Sequence, residues 1–179
     1  MTATARYTRT AIALHWLIAL LIIAAFLLGV TMSDMAPSIT KLKLVNWHKW
    51  LGVTVLGLAA LRLLWRLTHT APALPAAMAG WQVLAAKLGH LGLYLLMFAV
   101  PLSGYFFSLA AGFKVVYLGL FPLPVLIDKN PALKPVLHEL HEILAWGMAV
   151  LVCVHVLAAL KHHVIDRDDV LKRMLPWVR

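Results

Sequence analysis

The 179 residues contain a single cysteine, Cys153. One thiol excludes an internal disulfide, a thiolate zinc site and the C-x-x-C-H motif that attaches haem covalently. Any haem is therefore expected to be held without a covalent link to the chain. Acidic residues are scarce too: seven Asp and Glu stand against sixteen Lys and Arg, and charged residues make up only 13% of the whole. No repeat, no low-complexity stretch and no segment that reads as a second domain is present.

What the chain has in abundance is apolar surface. Hydrophobic residues make up 63% of it and the mean hydropathy is +0.87, far above the roughly half-apolar composition of soluble proteins. The runs Ala11 to Val30, Leu44 to Leu64, Val83 to Ala111 and Val136 to Leu160 carry few charges. Each is long enough to cross about 30 Å of hydrocarbon at about 1.5 Å per helical residue. The prediction is an all-α integral membrane four-helix bundle, one domain over 1–179, with helices near 10–32, 44–68, 81–111 and 136–163. Arg6 and Arg9 precede the first run as in a signal peptide, but its apolar core is too long and "TMSDMAPS" is a poor cleavage site. That segment is expected to remain as a helix.

With four spans both termini share one side. That side holds Arg6, Arg9, Arg62, Arg66, Lys87, Lys161, Arg167, Lys172, Arg173 and Arg179, ten cations, against Lys41, Lys43, Lys49, Lys114, Lys129 and Lys134 on the other. Positive charge stays inside, so both termini are predicted to be cytoplasmic. The net charge of +9 then needs lipid and the positive-inside bias, with no nucleic-acid partner. The connections "SDMAPSITK" and "THTAPALPAAMAG" are short, whereas 112–135 is longer and its "FKVVYLGLFPLPVL" is apolar enough to lie in the outer interface as a lid.

Nine histidines are many for such a chain, and ionisable groups within a membrane are costly and usually functional. Fourteen residues separate His141 from His155, which brings them back to within about 40° of one helix face, about 21 Å apart along the axis. The same interval separates His15 from Gly29, His48 from Arg62, and His90 from Gly104. Each helix thus has two marked positions on one face, one near each surface. Given the alternating helix directions, His15 and His155 fall at the inner level and His48 and His141 at the outer. Facing imidazole pairs, with Gly29 and Gly104 nearby to admit a flat macrocycle, suit bis-histidine haem b. Zinc or copper fits less well, because no thiolate or carboxylate completes either set.

Simpler roles remain for several of these residues. His90 lies at the inner level, where spacing alone lets it compete with His15 for the iron, and it also suits a helix-helix hydrogen bond. His138 reads as a solvated helix-start residue and His69 as part of a polar connection. His162 and His163, at the inner end of the fourth helix, suit cations near its C-terminus. Arg62 is placed to pair with a haem propionate or to snorkel to the headgroups. Trp16, Trp47, Trp50, Trp65, Trp81 and Trp146 fall near helix ends as an interfacial belt.

The segments "RYTRTAIALHWLIALLI", "HKWLGVTVLGLAALRLLWRL", "LGHLGLYLLMFAVPLSGY", "LHEILAWGMAVLVCVH" and "VLAALKHHVIDRDDVLKRMLP" together resemble the bacterial cytochrome b561 family, over nearly the whole chain and in family order. That family is similar to the di-haem membrane subunits of formate dehydrogenases and nickel-iron hydrogenases. The resemblance implies axial ligands from the first, second and fourth helices, matching His15, His48, His141 and His155, with His90 in a supporting role. It implies two haems b, a bacterial inner-membrane location and electron transfer to a quinone. A stand-alone member of this length looks most like the superoxide oxidases, which take electrons from superoxide at the outer face and reduce ubiquinone. The outer lysines would steer that anion, and His162 would hydrogen-bond the quinone. Ala76 and Ala77 stand where some members carry lysines. The competing expectation is a haem-bearing anchor that relays electrons from a soluble dehydrogenase or hydrogenase partner.

Overall fold

The structure is a computed structural model that describes residues 6–75 and 78–177; Ala76, Ala77 and Arg179 lie outside the described residues. Four helices, each long and apolar enough to cross a membrane, make up most of it: α1 (Arg9–Ser33), α2 (Ile39–Thr68), α3 (Gly80–Ala110) and α4 (Leu133–Val164). The expected all-α bundle is what forms, with one small addition. Residues Val116–Tyr117 (β1) and Phe121–Pro122 (β2) pair antiparallel as a two-stranded ribbon in the 112–135 connection.

Local chemistry sets the helix ends. Thr8 accepts a hydrogen bond from the Ala11 amide at 3.2 Å and Ser38 one from the Lys41 amide at 3.1 Å, each satisfying a first-turn donor. The Ser38 cap starts α2 at Ile39, five residues before the expected Leu44, so Lys41 and Lys43 belong to the helix and not to the connection. Asn130 does the same for α4, its side-chain oxygen accepting from the Ala132 and Leu133 amides at 3.0 and 3.1 Å. The α3 terminus closes with the amide of Gly112 on Leu109 and that of Phe113 on Ser108. This double closure requires a left-handed residue, and Gly112 supplies it at φ 87°.

α1 packs on α2, α2 on α3 and α3 on α4. α4 meets α1 and α2 through rings: Phe26 with Trp146, His15 with His155 and His48 with His141. The helices that bear facing imidazoles are thus held apart, which leaves room for a flat group between them. At mid-depth one residue from each helix, Ile18, Ala59, Met97 and Met148, closes into a tight core. Met148 sits seven residues from both His141 and His155, and Met97 seven from both His90 and Gly104. Seven residues return to nearly the same face, so the stripe that carries the marked positions near both ends carries an apolar plug between them.

The ribbon lies over the end of α2 away from the termini. The Trp50 indole donates to the Val116 carbonyl at 2.8 Å, Thr54 and Tyr117 hydroxyls meet at 3.0 Å, and the Lys49 ammonium stands 5.5 Å from the centre of the Phe113 ring. Tyr105 also donates to the Pro124 carbonyl. Leu118, Leu120, Phe121 and Leu126 remain exposed, as an apolar lip suited to an interface with lipid. The opposite end is closed by the segment after α4. Trp16 donates to the Met174 carbonyl at 2.8 Å, Arg6 to Leu175 at 2.5 Å and Arg173 to Ala73 at 2.5 Å. Three of the expected belt tryptophans, Trp16, Trp50 and Trp65, therefore bond inside the protein, while Trp47, Trp81 and Trp146 stay exposed.

Candidate functional site

Two groups of imidazoles form, one at each end of the bundle. At the end away from the termini, the His48 and His141 ring centres are 6.0 Å apart and their planes cross at 87°. At the other end His15 and His155 are 6.2 Å apart at 68°. A metal-imidazole bond of about 2 Å, with the ring centre about 1.2 Å further on, puts the centres of two axial rings about 6.4 Å apart. Both pairs match that spacing. His90 also reaches His155, at 5.6 Å and 61°, which is tighter than a metal between them requires.

The His48–His141 pair is oriented by the backbones of neighbouring helices. His48 Nδ1 lies 2.9 Å from the Ala25 carbonyl of α1, and His141 Nδ1 lies 3.0 Å from the Val100 carbonyl of α3. A carbonyl only accepts, so Nδ1 carries a proton in both rings, and in the neutral imidazole Nε2 is left as a bare lone pair. That is the tautomer a metal ligand needs. Glycines make the close approach possible. A Cβ on Gly104 would fall 2.8 Å from His141 Cε1, and one on Gly29 would fall 3.4 Å from His48 Cε1. Both expected glycines therefore lie at the end away from the termini, each against one imidazole.

Arg62 lies at the end that holds the termini, where its Nε donates to the Tyr94 hydroxyl at 3.2 Å and its guanidinium faces the Tyr94 ring. It shares a cleft with Tyr7, Arg66, His90 and Tyr94. Tyr94 was not singled out by the sequence, although it stands four residues after His90 on the same helix face. At the end of α4, His162 Nδ1 contacts Asp168 Oδ2 at 2.6 Å and Asp166 Oδ2 at 3.1 Å, and Lys161 pairs with Asp166 at 2.6 Å. His162 thus sits in a cluster with two carboxylates, Asp166 and Asp168, to which sequence reasoning gave no role. His69 caps α2 and stacks on Trp65 at 3.8 Å, so it is a helix-end group. His138, one and a half turns into α4, packs edge-on to Phe107 at 5.0 Å while remaining exposed.

Comparison with known proteins agrees with this architecture. The family model for prokaryotic cytochrome b561 matches residues 6–177. The chain is 37% identical over 171 residues to "Cytochrome b561 homolog 2" of Escherichia coli K12, covering 95% of this chain and 91% of that one. It is 32% identical to "Cytochrome b561 homolog 1" of the same organism, covering 96% and 97%. To "Probable superoxide oxidase CybB" of Yersinia pestis it is 30% identical, covering 97% and 98%. The chain belongs to the prokaryotic cytochrome b561 family, and is accordingly a multi-pass bacterial membrane protein that transfers electrons by means of b-type haem.

Proposed function

We propose that this chain is a single di-haem domain that takes electrons from superoxide at the outer membrane face and delivers them to ubiquinone. The observation that carries the two-haem reading is the pair of imidazole separations, 6.0 and 6.2 Å, each matched to a metal between axial rings. His48 and His141 hold the outer haem, and His15 and His155 the inner one. The shorter 5.6 Å spacing of His90 from His155 supports His15 as the partner and His90 as a neighbour. Held by these imidazoles, haem b would supply a one-electron couple.

The residues around it set direction and access. Both termini face the cytoplasm on the cation count. At the outer face Lys41, Lys43, Lys49, Lys114, Lys129 and Lys134 raise the local concentration of a small anion, and two superoxide ions supply the two electrons that one quinone takes up. The Yersinia relative's name supports this donor. Arg62, its Nε occupied by Tyr94, keeps its terminal nitrogens for a haem propionate. His162 has Nδ1 engaged by Asp168, so Nε2 remains for a quinone oxygen, and protons arrive there from the cytoplasmic side.

The test uses the purified, oxidised protein alone. Superoxide should reduce its haem faster than it reduces free haem, and ubiquinol should appear at half the rate of superoxide consumption. Absence of either result sinks the superoxide reading and favours a relay subunit fed by a soluble dehydrogenase or hydrogenase. A haem-to-protein ratio of one instead of two would remove the di-haem reading independently.

A further inference from the structure

The two outer imidazoles are held unequally. His48 Nδ1 has one partner, the Ala25 carbonyl at 2.9 Å. His141 Nδ1 has two, the Val100 carbonyl at 3.0 Å and the Ser103 hydroxyl oxygen at 3.1 Å. Ser103 Oγ in turn lies 2.8 Å from the Val100 oxygen. Since the carbonyl cannot donate, the hydroxyl proton goes to Val100, and the hydroxyl lone pairs are left facing the His141 Nδ1–H. The imidazole proton is therefore shared between two acceptors on α3. One of them, the Val100 carbonyl, is bonded to the nitrogen of Pro101, the one proline inside α3. Ser103 is only 6% exposed, so no water stands ready to replace its hydroxyl.

We propose that Ser103 is a positioning residue for the outer redox centre: its hydroxyl shares the Nδ1 proton of His141, fixes the orientation of that ring, and makes it the stronger electron donor of the outer pair. The proposal rests on the reading of His141 as an axial ligand. An acceptor on the far nitrogen of a ligating imidazole raises its basicity. A more basic ligand favours the oxidised metal, so the hydroxyl holds the outer centre at a lower potential than His48 and a lone carbonyl would. The sequence contained Ser103 beside Gly104, but nothing in its spacing distinguished it from any small residue at a helix contact.

The experiment compares Ser103→Ala and Ser103→Thr in the full-length, haem-loaded protein, by redox titration of both centres and by electron paramagnetic resonance of the oxidised form. Ser103→Ala is expected to retain two haems while the oxidised-to-reduced ratio of the outer centre falls about threefold to tenfold, the upper limit being about 59 mV for one electron. The inner centre should not move, and Ser103→Thr, which keeps the hydroxyl, should restore the outer one. An unchanged outer potential and resonance in fully loaded Ser103→Ala overturns the proposal. So does loss of haem from both variants, which marks Ser103 as a packing residue. His141→Ala separates the two levels of the argument: if it keeps the outer haem, the ligand assignment falls and the Ser103 proposal with it. If it loses that haem while Ser103→Ala changes nothing, only the Ser103 proposal falls.

Discussion

Replacing Gly104 by alanine places a methyl carbon 2.8 Å from His141 Cε1, 3.1 Å from Nδ1 and 3.4 Å from Nε2. Carbon atoms rest comfortably at about 3.5 Å or more, so the ring must retreat by about 0.7 Å. That movement stretches the 3.0 and 3.1 Å bonds from Nδ1 to Val100 and Ser103 towards the limit of a hydrogen bond. Overpacking of this kind costs about 1–3 kcal/mol, and each weakened hydrogen bond about 0.5–1.5 kcal/mol. Against this, alanine gains about 1 kcal/mol over glycine in a helix. The net is a destabilisation of about 1–5 kcal/mol concentrated at the His48–His141 imidazole pair.

Two other glycines calibrate the estimate. A Cβ at Gly57 meets nothing within 4 Å, so Gly57→Ala should gain the propensity term alone and raise stability by up to about 1 kcal/mol. At Gly92 the new carbon meets Leu151 Cδ2 at 3.0 Å, the far end of a flexible side chain, and the two terms should nearly cancel. Thermal unfolding in detergent, followed in the Soret band, and the haem-to-protein ratio together read the series. Gly104→Ala should melt lowest and lose the outer haem first. If it melts with or above Gly57→Ala and keeps its full haem, the contact at His141 does not govern the site and the reasoning is refuted.

Substituting the four proposed ligands should divide them by level: His15→Ala or His155→Ala removes one spectral component of the reduced alpha band, and His48→Ala or His141→Ala removes the other. His90→Ala should leave both, and the pairing is wrong if it removes the inner component while His15→Ala spares it. Thr8→Ala should destabilise the fold by about 1–2 kcal/mol in denaturant titration, because its hydroxyl both caps α1 and accepts from the Trp65 indole at 2.9 Å; an unchanged midpoint would contradict this. Trp16→Phe loses the bond to Met174 and should speed proteolysis of the segment after α4 without changing haem content. His162→Ala should raise KM for ubiquinone several-fold while both haems stay; an unchanged KM removes His162 from the quinone site. The rate of reduction by superoxide should fall as ionic strength rises, since exposed lysines are screened over about 10 Å at 0.1 M salt.

The number of spans, their approximate limits and the two polar levels were legible in the chain itself. Apolar length reports crossing of a bilayer, and a fourteen-residue interval reports one face, since both are properties of a single helix. The apolar plug was legible on the same principle, at seven residues from each marked position of α3 and α4, but hydrophobic residues are so common here that Met97 and Met148 carried no visible signal. The early start of α2 was missed because Ser38 caps a first turn too polar to join the apolar run. Other features belong to the relative rotation and separation of helices, which no single-helix period encodes. Spacing left His90 and His15 as rivals; the packed bundle puts His155 6.2 Å from one and 5.6 Å from the other. The glycines looked like room for a macrocycle, and the tertiary structure sets Gly104 directly against an imidazole. Whether a ring nitrogen is protonated depends on what lies beyond it, and the Ala25 and Val100 carbonyls come from helices far away in the chain. The sequence by itself determined that this is a membrane bundle with imidazoles at two depths. Only the packing of α4 against α1, α2 and α3 decided which imidazoles face each other, and only the neighbouring backbone decided which nitrogen His48 and His141 offer.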